Sequence, residues 1–235
     1  MNEQTFASNS EGGNQEKQEK IKRVIQLFEA GLDSPDCIGY HGTSLEAMDF
    51  LIEHGHLPGG GYDKGSTTDI PDGEKYLYFF PKKSEFSKHE LADSFLEDEE
   101  ILEETKGYSQ GIAGSHYLLK KLGLNIDDQD LEFKARCLTG RIPIDAEEEY
   151  QHFIGLGINE KVLDKTIEEA KKRRGVILVL SKKVLESHVI SNGDEEGGDL
   201  RILIPEGLTL EFLSGIEPVG QEEYRYFATL QKQNT

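Results

Sequence analysis

The chain has 235 residues, 26 Lys and Arg against 45 Asp and Glu, and a formal net charge of −19. That length holds one large domain or two small ones, with enough material for a real core. The acidic excess excludes a protein that grips duplex nucleic acid or an anionic membrane through its overall charge, because both demand phosphate-neutralising Lys and Arg.

Two cysteines, Cys37 and Cys137, are too few for a disulfide framework and too far apart in sequence to suggest a metal pair. The expectation is two buried thiols in a reducing compartment, with a bridge between them as the alternative. No apolar run approaches the roughly 20 residues of a membrane span. The first 20 residues have neither the basic start nor the apolar stretch of a secretion signal. Residues 1–16 are therefore expected to be a disordered polar tail, residues 17–235 a single domain, and the location cytoplasmic.

In residues 17–30, Ile21, Val24, Ile25 and Phe28 share one helical face, and Gly31 ends the helix. Residues 37–40 are a short buried-strand candidate. Thr43-Ser44-Leu45-Glu46 reads as a capping box with Thr43 as the cap, opening a helix through Met48, Leu51 and Ile52 that Gly55 stops. A glycine-rich loop over 58–73 precedes a strand at 76–80, closed by Pro81. Residues 83–106 are acidic and helical in propensity, and a further helix covers 108–122.

Residues 132–138 alternate Phe133, Ala135 and Cys137, the period of a half-buried strand. Helices follow near 147–154 and 160–172. Strands are then expected at 176–180, 200–204, 210–213 and 216–219. With no Pro/Ser-rich linker and no internal repeat, the chain reads as one α+β domain.

The most informative segment is Gly39-Tyr40-His41-Gly42-Thr43-Ser44. A strand delivers a histidine, a glycine lets a ligand approach the backbone, and two hydroxyls stand at a helix N-terminus. Such a terminus offers unpaired N–H donors to ribose hydroxyls, phosphates or an amide. The competing reading is plain architecture, with Thr43 a cap and His41 a satisfied core residue.

Further along, Leu77-Tyr78-Phe79, Tyr108-Ser109-Gln110-Gly111 and Gly198-Asp199-Leu200-Arg201-Ile202 occur in that order. Together with Tyr40-His41-Gly42-Thr43-Ser44 they resemble the ADP-ribosyltransferase fold. The likeness is to its diphtheria-toxin and poly(ADP-ribose)-polymerase branch, marked by His, Tyr and a third, acidic or variable residue. The resemblance spans roughly residues 37–219. It implies a split, mostly antiparallel sheet flanked by helices, and NAD as co-substrate. By the same resemblance His41 binds the adenosine ribose, the Gly42 backbone holds the nicotinamide amide, and Thr43 or Ser44 meets a ribose hydroxyl. Tyr78 and Tyr108 would stack on the nicotinamide ring.

The third residue is the departure. The branch usually carries Glu, and Asp199 is one methylene shorter; Glu195 and Glu196 just upstream are the alternatives for the catalytic carboxylate. The expected function is mono-ADP-ribosyl transfer from NAD to a macromolecular acceptor, protein or nucleic acid. The alternative is a binding module of the same fold that recognises NAD or ADP-ribose without turnover. The related RNA 2′-phosphotransferases would require an arginine pair about His41, which the sequence does not offer.

The remaining signals are weaker. The segment 63–74 begins and ends like a calcium loop but has Thr68 where glycine is demanded. His54 and His56 lack a third ligand at metal spacing, so no metal is expected. Lys171-Lys172-Arg173-Arg174 reads first as a charged helix end and second as a contact for a phosphate-bearing target. His116 and His188 have no partner visible in the sequence.

Overall fold

The computed structural model describes residues 8–57, 76–86, 96–126, 128–140, 146–187, 190–192, 200–203 and 207–234. Helix α1 (Ser8–Ala30) begins inside the stretch expected to be a disordered tail. Its Gln, Glu and Lys residues are good helix formers with no proline among them. Glu16 and Lys20 add an i,i+4 ion pair at 2.8 Å. The helix buries Ile21, Val24 and Leu27, and Gly31, at φ +56°, ends it.

Strand β1 (Cys37–Thr43) leads into α2 (Leu45–His54). The cap of α2 is Ser44 rather than Thr43: its hydroxyl accepts from the Ala47 N–H at 3.1 Å, while Thr43 is the last residue of β1. The ladder with a neighbouring strand holds Thr43 extended, so the turn into the helix falls one residue later. Gly55 closes α2 in a left-handed conformation, its N–H donating to the Leu51 carbonyl.

Short β2 (His56–Leu57) follows, then β3 (Tyr76–Pro81), α3 (Lys83–Phe86) and the long α4 (Asp98–Lys121). A capping box between Glu97 and Glu100 opens α4, which runs unbroken through Gly107 and Tyr108 where two separate helical stretches were expected.

The strand expected over 132–138 is instead helix α5 (Gln129–Leu138). The Asp128 carboxylate caps it by accepting from the N–H groups of Asp130 and Leu131, and Glu132 pairs with Arg136 one turn on. Ala135, Cys137 and Leu138 are buried, whereas Phe133 is left 51% exposed, the opposite of an inward alternation. Helices α6 (Glu147–Gly155) and α7 (Glu160–Ala170) come next, followed by β4 (Val176–Ser181), α8 (Lys183–Ser187), β5 (Ile190–Asn192) and β6 (Leu200–Leu203).

The strand expected at 210–213 resolves into β7 (Leu208–Thr209), a 3-10 turn (Leu210–Phe212) and the start of β8 (Leu213–Pro218). Helix α9 (Gln221–Gln233) completes the described chain and was not foreseen, although Phe227, spaced from Glu223 and Leu230 by four and three residues, marks its inner face.

The main sheet is antiparallel, in the order β5-β6-β3-β1-β4-β8, and β2 pairs with β7 apart from it. The architecture is thus α+β. One face of the sheet carries Leu178, Leu180 and Ile216 against α1, α2 and α9. The other carries Tyr40, Ile177 and Val179 against Ile101 of α4. A second apolar cluster ties the end of α4 to α5, α6 and α7 through Leu118, Ala135, Phe153 and Leu163. Both cysteines are buried and free. Among the described residues no helix is long and apolar enough to cross a membrane.

Candidate functional site

The site is built on β1, the strand that carries His41, Gly42 and Thr43. Along its whole length β1 pairs with β4, with Tyr40 opposite Val179, His41 opposite Leu178, Gly42 opposite Ile177 and Thr43 opposite Val176. Its other edge pairs with β3 only at Gly39–Pro81 and Tyr40–Phe80. Past Tyr40 the two strands part. From there β3 continues against β6, with Tyr78 opposite Arg201 and Phe79 opposite Leu200. The backbone groups of 41–43 that face β3 therefore stand outside that ladder, at a point where the sheet opens.

Helix α4 covers the Gly42 face. A Cβ on Gly42 would lie 2.8 Å from the Ser109 nitrogen and 3.0 Å from the Thr105 carbonyl oxygen, so the site admits only glycine without moving α4. Gly175, at φ +82°, closes the same junction: a Cβ there would lie 2.5 Å from both the Ser109 and Thr43 carbonyl oxygens. The Ser109 hydroxyl reaches the Arg174 carbonyl at 3.0 Å. On the far side of that turn the buried Glu223 carboxylate of α9 accepts from the N–H groups of Arg174 and Gly175, at 3.1 and 3.2 Å.

A polar chain runs outward from the start of α2. Ser44 Oγ lies 2.8 Å from His116 Nδ1 of α4, and His116 Nε2 is 3.8 Å from Glu132 Oε1 of α5. Glu132 accepts from Arg136 Nε at 3.0 Å, and the Arg136 guanidinium stands 5.3 Å over the Tyr108 ring. Burial works to lower the pKa of Arg136, but Glu132 and Tyr108 outweigh it and hold the guanidinium above its ordinary value. Phe80 of β3 meets Tyr108 edge-on, with centroids 5.7 Å apart. Tyr108 thus stands beside the β1–β3 junction with its ring oriented by a cation and an aromatic edge.

Of the expected NAD-binding residues, Gly42, Thr43 and Ser44 are buried, and His41 and Tyr108 are half-buried. The Ser44 hydroxyl is already engaged by Ala47 and His116. Tyr78 belongs to β3, and its side chain lies outside the described residues, as do Asp199, Glu195 and Glu196 entirely. The 63–74 segment and His188 fall outside them too. His54 and His56 both pack against Phe50. Among the described residues no group of three or more His, Cys, Asp or Glu has the arrangement to hold a metal ion.

In the basic block, Lys171 pairs with Glu168, and Arg173 binds Glu222 while its guanidinium stacks 4.0 Å over Tyr117. His116, Glu132, Arg136 and Glu223 went unrecognised as site residues in the sequence. The spacing of four was the one local sign of the Glu132–Arg136 pair; His116 and Glu223 find their partners only across the fold. Comparison with protein-family models, with curated proteins and with solved structures finds no match for this chain.

Proposed function

We propose that this protein is an NAD-dependent mono-ADP-ribosyltransferase, resembling the diphtheria-toxin and poly(ADP-ribose)-polymerase branch. The observation that carries the reading is strand adjacency. The segments bearing His41-Gly42-Thr43, Tyr78-Phe79 and the residue after Asp199 are neighbours in the order β6-β3-β1, although they are far apart in sequence. The end of the β1–β3 ladder at Tyr40 supports it further, because it leaves Gly42 outside that pairing, where a flat amide such as nicotinamide can approach the backbone.

In the proposed reaction the bond between the ribose anomeric carbon and the nicotinamide nitrogen breaks, and its electron pair leaves with neutral nicotinamide. A carboxylate, assigned to Asp199 from its position directly before β6, stabilises the oxocarbenium-like carbon until an acceptor nucleophile attacks and loses its proton. His41 orients the adenosine ribose, and Tyr108 lies beside the nicotinamide subsite. The backbone of β6 is paired to β3 at Leu200, which favours Asp199 over Glu195 and Glu196 for holding a carboxylate still.

A thermal-shift series tests the cleft. NAD should raise the melting temperature by mass action, and NADP, ATP and divalent metal should not. No response to NAD, nicotinamide or ADP-ribose would contradict the reading. A second reading, recognition of NAD or ADP-ribose without turnover, draws on Asp199, one methylene shorter than the Glu that the branch usually carries there. Release of nicotinamide from NAD separates the two.

A further inference from the structure

A cleft of about 510 Å³ opens between the end of α1, the edge strand β8 and the start of α9, and no step of the proposed transfer uses it. Its size is within the range of ligand-binding clefts. Its walls include Phe28, Leu32, Asp33, Glu217, Pro218 and Tyr224. One wall is aromatic: Phe28 and Tyr224 meet edge-on at 5.5 Å, and Tyr224 is 58% exposed.

The opposite wall is anionic. Asp33 and Glu217 form no ion pair and no side-chain hydrogen bond among the described residues. The Glu217 carboxylate lies against the chain at Gly31, half-buried. Burial pushes its carboxyl above the ordinary range; Lys106 opposes that and Asp33 adds to it. The Lys106 ammonium is bonded to Glu103 at 2.5 Å and acts on Glu217 from outside hydrogen-bond contact.

We propose that this cleft takes the cationic side chain of a basic protein partner, a lysine or arginine whose charge meets Asp33 and Glu217 while its stem lies on Tyr224. A desolvated carboxylate without a partner is stabilised by an incoming cation, and an aromatic face adds to that attraction. The exposed Tyr224 marks the mouth, so a side chain borne on another chain can enter. A net charge of −19 steers such a partner towards the surface. The assignment does not depend on NAD binding. It does bear on geometry: Glu217 pairs with Ile177 and Ile177 with Gly42, so the Glu217 side chain is on the Gly42 face of the sheet, two strand spacings or roughly 10 Å away, while α1 and α9 bring the aromatic wall round the β8 edge from the other face.

Calorimetric titration of the full chain with a short lysine- and arginine-rich peptide tests this at fixed salt. The isosteric pair Asp33→Asn and Glu217→Gln should weaken binding about tenfold, the equivalent of 1.4 kcal/mol. Tyr224→Ala, which changes no charge, should weaken it severalfold. A matched pair elsewhere, Glu53→Gln and Glu186→Gln, should change it by less than about twofold, since exposed charges at that remove act only through a screened field. Equal losses in both double variants would show that overall charge alone attracts the peptide and would overturn the site. No loss in the Asp33/Glu217 variant would overturn it as well. Spermidine binding through these residues with the peptide inert would reject the protein side chain in favour of a free polyamine.

Discussion

The hydroxyl of Ser44 and Nδ1 of His116, 72 residues apart in sequence, lie 2.8 Å from each other. Through this contact the start of α2 is joined to α4, and through Glu132 and Arg136 to α5 and the ring of Tyr108. The same Oγ also caps α2. One fully buried serine thus serves both the local helix entry and the packing of the helical layer on the sheet.

Ser44→Ala should therefore cost about 2 kcal/mol of unfolding free energy, about 1 from the lost cap and about 1 from the buried hydrogen bond. Thr43→Val should cost clearly less, because Thr43 is not the cap. Urea unfolding of the two variants checks the order, and the reverse order would return the cap to Thr43.

Gly42→Ala should destabilise the protein by about 1–3 kcal/mol, the usual cost of overpacking a filled junction. Its Cβ falls 2.8 Å from the Ser109 nitrogen, a backbone atom that cannot swing aside. Gly175→Ala should cost more, since φ +82° adds conformational strain to 2.5 Å contacts with two carbonyl oxygens. Denaturant midpoints that leave either variant unchanged would contradict the close packing of α4 on β1.

Glu217→Gln should raise the unfolding midpoint at neutral pH. Its carboxyl is pushed up in the folded state by burial and by Asp33, with Lys106 opposing, so folding favours the protonated form. Stability from this group is therefore complete in acid, below the unfolded carboxyl's ordinary range, and is lost as pH rises through the elevated folded value. The advantage of Gln should accordingly shrink as pH falls. An advantage that persists unchanged in acid would assign the effect to something other than this titration.

His41→Ala should remove the thermal response to NAD while lowering the midpoint only modestly, because the side chain is half-buried. A large loss of stability with the NAD response retained would mark His41 as a structural residue.

The sequence made the frame of the site legible where the pattern is local. Met48, Leu51 and Ile52 report α2, and the apolar run 176–180 reports β4, which is buried along its length. It misled where two periods overlap. Phe133, Ala135 and Cys137 alternate like a strand, yet Leu131, Ala135 and Leu138 fit a helix equally well, and the Asp128 cap decided the outcome. The helix start at Ser44 rather than Thr43 depended on β-pairing with Val176, which no local signal reports. His116 was silent for the same reason: its partners, Ser44 and Glu132, come from different elements and meet only after α4 has packed.

The most direct measurement is nicotinamide release from NAD by the purified protein and its Asp199→Ala variant, with NAD binding followed in parallel. The account predicts release by the natural chain. In the variant, release is lost while NAD binding stays nearly intact, because the carboxylate acts as positive charge develops on the ribose. Asp199→Glu should keep or raise the rate. A mild Asp199→Ala effect with a severe loss on replacing Glu195 and Glu196 would move the acid to that pair. No release by the natural chain, or release that survives removal of all three acids, would contradict the proposed transfer chemistry at this site.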